Sequence, residues 1–290
     1  MRHIAITGAS GLIGTALTTA LTTAGKRVTA LPRDLRPRHR DLAGVDAVVN
    51  LAGAGLGNRR WNSSYKHQIR TSRVDRTRDL AAAIAACDHP IRLVSASAVG
   101  YYGDRGAEPL TEDSAPGSGF LAEVCRDWEQ AAAAAPNHAV VRTGIVLAPS
   151  GGALGRMLGL ARLGLGGPLG DGSQYWPWIS LRDHVRALLW LLDHPDQRGP
   201  FNLVSPNPLP QREIASELGR LLRRPAVLPA PRFALRALLG EFAETLTGGQ
   251  RALPARLEAA GFGFDHPDIG QALRWVLGAP PEAPQAGGAS

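Results

Sequence analysis

The first 150 residues alternate short apolar runs with longer amphipathic ones. Residues 3–7 (HIAIT), 27–31 (RVTAL), 46–53 (DAVVNLAG), 91–97 (IRLVSAS) and 138–144 (HAVVRTG) read as buried strands. Between them, residues 12–24, 65–86 and 120–135 place apolar side chains at helical spacing, and Gly25 stops the first of these helices. Apolar strands separated by helices predict an α/β chain whose parallel sheet is covered on both faces. After Gly144 the pattern loosens. Residues 151–172 predict a helix and a glycine-rich loop, 181–192 a helix and 199–205 a returning strand. From Leu209 onward the chain reads as helical, broken by Pro225, Pro229, Pro231 and Pro254.

One interval is too short for its place in this alternation. Only 14 residues (PRDLRPRHRDLAGV) separate Leu31 from Asp46. A parallel crossover with its own helix and a further strand needs more chain than that. The sheet is therefore expected to lack the strand that would lie outside residues 27–31, with an arginine-rich loop there instead.

The strongest local signal is TGASGLIG, residues 7–14, which joins the first strand to the first helix. Glycines at 8, 11 and 14 suit a tight turn, a close backbone approach to a pyrophosphate, and close helix–strand packing. The free N–H groups at the helix start would then meet the anion. An acidic residue after the second strand would bind a ribose 2′-hydroxyl. Pro32 and Arg33 stand there, with Arg36, Arg38 and Arg40 beyond, and a guanidinium suits a 2′-phosphate. NADP (NADPH) is the cofactor expected.

Composition narrows the alternatives. Of 290 residues, 44% are hydrophobic and 20% charged, as in an ordinary globular chain. No apolar run approaches the roughly 20 residues of a membrane helix, so no membrane partner is expected. Two cysteines exclude a disulfide scaffold, and the scattered histidines offer no metal spacing. The net charge of +7 comes from 32 basic residues, all but Lys26 and Lys66 being arginine. The arginines are dispersed rather than set in a stripe with aromatics, so no nucleic-acid partner is expected. Met1 runs straight into the first strand without a leader pattern, which points to the cytoplasm. Residues 279–290 are Pro/Gly/Ala-rich and expected to form a disordered tail.

With these residues placed, the chain resembles the extended short-chain dehydrogenase/reductases, and within them the atypical "epimerase family" group, nucleoside-diphosphate-sugar epimerase-like. The resemblance rests on TGASGLIG (7–14), VVNLAGAGL (48–56), RRW (59–61), TSRVDRTRDL (71–80), SASAVGYYG (95–103) and FLAEVCRDWE (120–129). It continues through VRTGIVLAPSGGALGRML (141–158), GGPLGDGSQYWPWISLRD (166–183) and residues 235–264. It implies a Rossmann-type, doubly wound parallel sheet with a smaller, mainly helical C-terminal substrate lobe. The expected division is 1–149 plus 178–204 for the NADP-binding unit, and 150–177 plus 205–278 for the lobe. It further implies that Leu51, Ala52 and Gly53 pass under the cofactor. Ser95 to Ser97 would end a strand beside the nicotinamide, and Thr143 to Val146 would line its far side. Gly8, Ser10, Gly11, Leu12, Ile13, Arg33, Ser95, Thr143 and Gly144 complete the expected cofactor contacts.

The active-site signature departs from that pattern. The superfamily pairs a serine with a Tyr-x-x-x-Lys helix. If Glu129 matches the glutamate that follows the motif, Leu121 and Cys125 stand at the tyrosine and lysine positions. Ser97 and Tyr101 are then the expected catalytic pair, Tyr101 or Tyr102 supplying the proton; a packed loop tyrosine is the alternative. Cys125 reads as a small core residue. Asn58, Arg60, Trp61, Trp176 and Trp178 are candidates for the cleft wall, against simple lobe packing for the two later tryptophans. Lys66 and Arg73 fall on nearly one face of the expected 65–86 helix, and Arg73 takes a place where relatives often carry asparagine. The leading expectation is an NADP-binding, epimerase-like oxidoreductase of a small polar substrate, with a homodimer entertained as its assembly. The rival is a non-catalytic NADP(H)-binding sensor or scaffold.

Overall fold

The computed structural model describes residues 1–32 and 38–279. At its centre lie β1 (His3–Thr7), β2 (Arg27–Leu31), β3 (Ala47–Asn50), β4 (Arg92–Ala98), β5 (His138–Thr143) and β6 (Gly199–Leu203). All pairings are parallel, in the order β6-β5-β4-β3-β1-β2. Six α-helices precede β6 in the chain: α1 (Leu12–Thr23), α2 (Ser63–Thr71), α3 (Val74–Ala85), α4 (Phe120–Ala132), α5 (Gly152–Arg162) and α6 (Leu181–Asp193). The later chain adds α7 (Gln211–Leu222), α8 (Arg232–Leu239), α9 (Phe242–Thr247), α10 (Ala255–Ala259) and α11 (Ile269–Leu277).

The strands are apolar on both sides because both sides are covered. Ile4 and Ile6 of β1 meet Leu17 and Leu21 of α1 and Leu188 and Leu191 of α6. Ala5, one residue out of phase, meets Leu80 and Ile84 of α3 on the opposite face. Each fully buried leucine or isoleucine here contributes about 1.5–3 kcal/mol. The chain leaves β1 for β2 on one side and returns to β3 on the other. This reversal opens a crevice beyond the carboxyl ends of β1 and β3, where open α/β sheets bind ligands.

The short interval after Leu31 behaves as its length requires. Among the described residues it holds only a 3₁₀ turn, His39–Leu42, and no strand outside β2. Arg33 and Arg36 lie outside the described residues, as does the expected tail except for Ala279.

Three expectations need correction. The single helix over 65–86 is two helices, broken at Ser72 and Arg73. The strand expected over 46–53 ends at Asn50, because Leu51 and Ala52 turn their N–H groups onto Thr7 Oγ1 at 3.1 and 3.2 Å. The region after Leu209 is not helical throughout. Residues Leu209–Pro210 pair antiparallel with Tyr175–Trp176, and Arg251–Ala252 pair parallel with Pro109–Leu110.

The second lobe has its own core, with Leu154, Leu158, Trp176, Trp178, Leu218 and Leu273 among its members. Asp183, fully buried at the start of α6, accepts the backbone N–H groups of Asp265 and His266, both at 2.8 Å. That carboxylate ties the C-terminal segment to the sheet-side helix. Among the described residues no helix is long and apolar enough to cross a membrane.

Candidate dinucleotide site

The floor of the crevice is a hydrogen-bonded set linking three strand ends to α3. Thr7 Oγ1 donates to Asn50 Oδ1 at 2.7 Å, while Asn50 Nδ2 donates to Thr77 Oγ1 at 2.8 Å and to Ser95 Oγ at 3.1 Å. Trp128 Nε1 from α4 donates to the same Thr77 hydroxyl at 2.8 Å. Asn50, Thr77 and Ser95 are all buried. Buried polar groups satisfied in this way rigidify the ends of β1, β3 and β4.

Above the floor lies the glycine turn. Gly8 has φ +70, and a Cβ there would sit 2.9 Å from the Leu51 carbonyl carbon. A Cβ on Gly14 would stand 2.2 Å from the Gly8 carbonyl oxygen. Only glycine lets the turn, the strand end and the helix approach so closely. Gly11 is the N-cap of α1 and no side chain caps that helix, so its first N–H groups are left for a ligand. A cleft of about 450 Å³ opens there, within the usual range for a bound small molecule. It is lined by Thr7 to Gly11, Ala30 to Pro32, Asn50 to Gly53, Arg76 and Leu80.

The structure thus brings Gly8, Ser10, Gly11, Leu51, Ala52 and Gly53 to one cleft, with Leu12 and Ile13 beginning the helix beside it. Arg33 lies outside the described residues. Ser95 is a correction: fully buried, it accepts Asn50 from beneath the floor and does not face the cleft. Thr143 stands at the end of β5 with its hydroxyl 3.0 Å from His184 Nε2, and Gly144 is clamped under Pro177, whose carbonyl oxygen a Cβ would meet at 2.3 Å. Burial pushes the His184 imidazole down to about 3, so it is neutral. Sequence reasoning missed Arg76. Its spacing of four from Leu80 puts both on one helical face, which was the available signal.

The second cluster surrounds Ser97. This serine is buried and donates to Glu129 Oε1 at 2.7 Å. Arg142, its cross-strand neighbour, grips both oxygens of Glu129 at 2.9 Å and donates to the Tyr102 hydroxyl at 2.9 Å. Burial depresses and the paired Glu129 raises the affinity of that guanidinium for its proton, with a net upward shift. Tyr102 donates to Asn202 Oδ1, and burial pushes its phenol up to about 12. Tyr101 lies with its ring 3.6 Å from the Arg142 guanidinium carbon, and no described residue hydrogen-bonds its hydroxyl. Tyr102, offered with Tyr101 as a proton source, is therefore fully buried in structure, while Tyr101 is only partly so. Leu121 and Cys125, one turn apart on α4, both abut Gly100. Burial pushes the Cys125 thiol up to about 12, which makes it inert.

The remaining candidates divide. Trp176 and Trp178 are lobe core, their indoles donating to the Leu246 and Asn207 carbonyls, so they do not wall the cleft. Trp61 packs edge-on to Phe120 at 5.5 Å and against Phe242 at 5.7 Å, joining the 55–61 loop to α4 and α9. Asn58 and Arg60 are exposed, Arg60 beside Gly240. Lys66 pairs with Glu241. Arg73 sits at the helix break, not on a face shared with Lys66. Its Nη2 donates to the Ala54 carbonyl at 3.0 Å and its Nη1 to the Ile69 carbonyl at 3.3 Å.

A parallel sheet of this order, a glycine turn over its switch point and a lobe on its carboxyl side define a dinucleotide-binding α/β protein. The family model for the NAD dependent epimerase/dehydratase family matches residues 4–204, and a domain of unknown function (DUF1731) matches residues 230–276. The chain belongs to the NAD dependent epimerase/dehydratase family. It is 43% identical to Epimerase family protein MT2273 of Mycobacterium tuberculosis, over 96% of this chain and 98% of that one. It is 38% identical to Epimerase family protein SDR39U1 of Bos taurus, over 95% and 99%. Among solved structures, human epimerase family protein SDR39U1 with NADPH superposes with a TM-score of 0.89 at 35% identity, covering 96% of this chain and 99% of that one. A nucleoside-diphosphate sugar epimerase from Corynebacterium glutamicum superposes at 0.79 and 36% identity, over 96% of this chain and 58% of that one.

Proposed function

We propose that this chain is an NADPH-dependent, epimerase-like oxidoreductase acting on a small polar substrate. The observation that carries the reading is the glycine cradle at the uncapped start of α1, closed by Leu51 and opening into the 450 Å³ cleft. The NADPH-bound structure of the human relative supports it. Residues 1–149 with 178–204 would hold the dinucleotide, and 150–177 with 205–278 would form the substrate lobe. Arg76, lining the cleft with Leu31 and Pro32, supports a 2′-phosphate at the adenosine end. On this reading Arg76→Gln raises the NADPH dissociation constant about 10-fold and leaves NADH unchanged; equal effects on both in calorimetric titration would exclude that role.

The dinucleotide, when bound, supplies the hydride chemistry. The chain's own groups must place the substrate oxygen and move its proton. Tyr101 is the donor this reading favours, because its hydroxyl is uncommitted and its ring lies flat on Arg142. Ser97 acts through Glu129 and Arg142 and is a positioning residue. The second reading, an NADPH-binding sensor without turnover, draws on Leu121 and Cys125 at the positions the resemblance gives to tyrosine and lysine. A panel of carbonyl compounds and nucleotide sugars, assayed for oxidation of bound NADPH, separates the two. Turnover on any member supports the enzyme, and tight NADPH binding with none supports the sensor.

A further inference from the structure

Among the described residues, every large apolar side chain that stands exposed comes from two stretches of the second lobe. Leu160, Leu163 and Leu165 lie at and beyond the end of α5. Val227, Leu228, Phe233 and Leu238 lie on the proline-rich run before α8 and on α8 itself. Leu163 is 75% exposed and Phe233 78%, far outside any core. The two stretches are held side by side. A Cβ on Gly164 would meet Pro225 Cγ at 3.5 Å, and one on Gly167 would stand 2.0 Å from the Leu228 carbonyl oxygen. Leu169 and Ala230 form a parallel bridge, in which Gly170 N–H donates to the Ala230 carbonyl and Ala230 N–H to the Pro168 carbonyl, both at 2.8 Å. The exposed apolar groups are thus gathered on one face, and a contiguous patch of this kind marks an interaction site.

Its charge says what it meets. No acidic residue occurs from 151 to 170 or from 218 to 240, whereas Arg162, Arg223, Arg224, Arg232 and Arg236 are all exposed there. Arg232 and Arg236 reach Asp171 and Glu244 only at 3.8 Å, in exposed pairs that are worth little. Among the described residues no carboxylate pairs with Arg162, Arg223 or Arg224. Cations and apolar groups alternate along both stretches, and α8 (RFALRALL) presents them together because it buries only Leu235. A protein partner would favour an apolar core with its charge kept to the rim. A second copy, meeting this face about a two-fold axis, would set arginine against arginine. An anionic phospholipid surface takes both groups at once. The apolar side chains enter the headgroup boundary while the guanidinium groups meet the lipid phosphates.

We infer that this face of the lobe docks the protein on anionic phospholipid bilayers. Surface attachment needs no spanning helix, so the inference replaces the expectation of no membrane partner, which rested on the lack of a spanning run. It is independent of the dinucleotide reading, but it bears on the cleft. A Cβ on Gly152, at the start of α5, would meet Leu12 of α1 at 3.3 Å, and the helix ends at Arg162 within the patch. The docked face therefore lies one helix length, about 16 Å, from the start of α1.

The test is co-sedimentation of the full chain with two kinds of vesicle: phosphatidylcholine alone, and phosphatidylcholine with about one-third phosphatidylglycerol. Wild type is expected to bind the anionic vesicles about 10-fold or more tightly than the neutral ones, with the difference shrinking in high salt. Phe233→Ser with Leu238→Ser is expected to weaken anionic binding about 10-fold or more. Arg223→Gln with Arg224→Gln is expected to weaken it about 30-fold. Arg2→Gln with Arg27→Gln makes the same change of charge at the amino ends of β1 and β2 and is the control, expected to weaken it less than about 3-fold. Equal binding to both vesicles would overturn the proposal. So would equal losses in the two arginine pairs, or no loss in the serine variant, since either reduces the binding to the general attraction of a basic chain. If thermal melts show the serine variant unfolded, Leu163→Ser with Val227→Ser takes its place under the same criterion. A wild-type chain that ignores lipid but self-associates through these residues in sedimentation velocity would assign the face to a second copy. One that ignores lipid and stays monomeric would leave the face to an acidic protein. Both outcomes overturn the proposal.

Discussion

Single residues set the site to within a methyl group. Gly8 combines φ +70 with a position where a Cβ meets the Leu51 backbone at 2.9 Å. Gly8→Ala must therefore accept a strained backbone or push β3's end away, a cost of about 1–3 kcal/mol. Thermal melts are expected to register that cost, and titration a loss of NADPH affinity of 10-fold or more. A variant that binds normally would show that the cradle tolerates a side chain. His184 makes a different prediction at the same scale. Its folded pKa is pushed down to about 3 by burial, against about 6.5 in the unfolded chain. The unfolded state therefore binds the proton first as pH falls. The associated stability is complete above pH 6.5 and is lost progressively toward pH 3. At pH 5 that loss is about 2 kcal/mol. Urea unfolding at pH 8 and pH 5 should show His184→Gln losing less stability than wild type by about that amount, and parallel losses would refute it.

Between elements, the question is what β4, β5 and α4 jointly hold. Ser97, Arg142 and Glu129 come from the three of them and meet in one network beneath Tyr101. Tyr101→Phe removes the proposed proton donor and is expected to lower turnover on a true substrate by 10²–10⁴-fold with NADPH affinity unchanged. Ser97→Ala leaves Glu129 with Arg142 and should cost less, shifting turnover but not binding. Cys125→Ser serves as the control, expected to be nearly silent in both. Full turnover in Tyr101→Phe would remove Tyr101 from the mechanism. Much of this level was legible beforehand, because short continuous apolar runs and period-3.6 apolar spacing fix buried strands and helices locally. The helix break at Ser72 was not. Residues 65–86 keep helical composition throughout, and at the break Ser72 Oγ accepts the N–H of Ala54, 18 residues away in sequence. Ser95 was misplaced for a related reason. Alternation puts it on one side of β4, but only the presence of Asn50 across the sheet decides that this side is the floor rather than the cleft.

At the scale of the whole molecule, the lobe after Leu209 was the least legible part, since its short helices are defined by what they dock on. The shortened sheet edge beyond β2 could be counted from chain length alone, whereas the seam between lobe and sheet could not. Trp61 is that seam's centre. Its indole donates to the Leu56 carbonyl at 2.8 Å, and its ring meets Phe120 from α4 and Phe242 from α9. Lys66 pairs with Glu241 immediately alongside, but half-exposed pairs of that kind are worth little. Aromatic contacts each contribute about 0.5–1.5 kcal/mol beyond area burial. Trp61→Ala removes two of them, so the local opening of α8 and α9 should become about 5- to 150-fold more frequent. Limited thermolysin digestion is expected to cut within residues 230–247 faster by a comparable factor, while hydrogen exchange in β1, β3, β4 and β5 stays as in wild type. Trp61→Phe should recover much of the protection, since it keeps an aromatic ring between Phe120 and Phe242. Faster exchange across the central sheet in Trp61→Ala would instead mean that the lobe and the sheet unfold as one unit, and that the seam is part of the core rather than a hinge between two bodies of different stability.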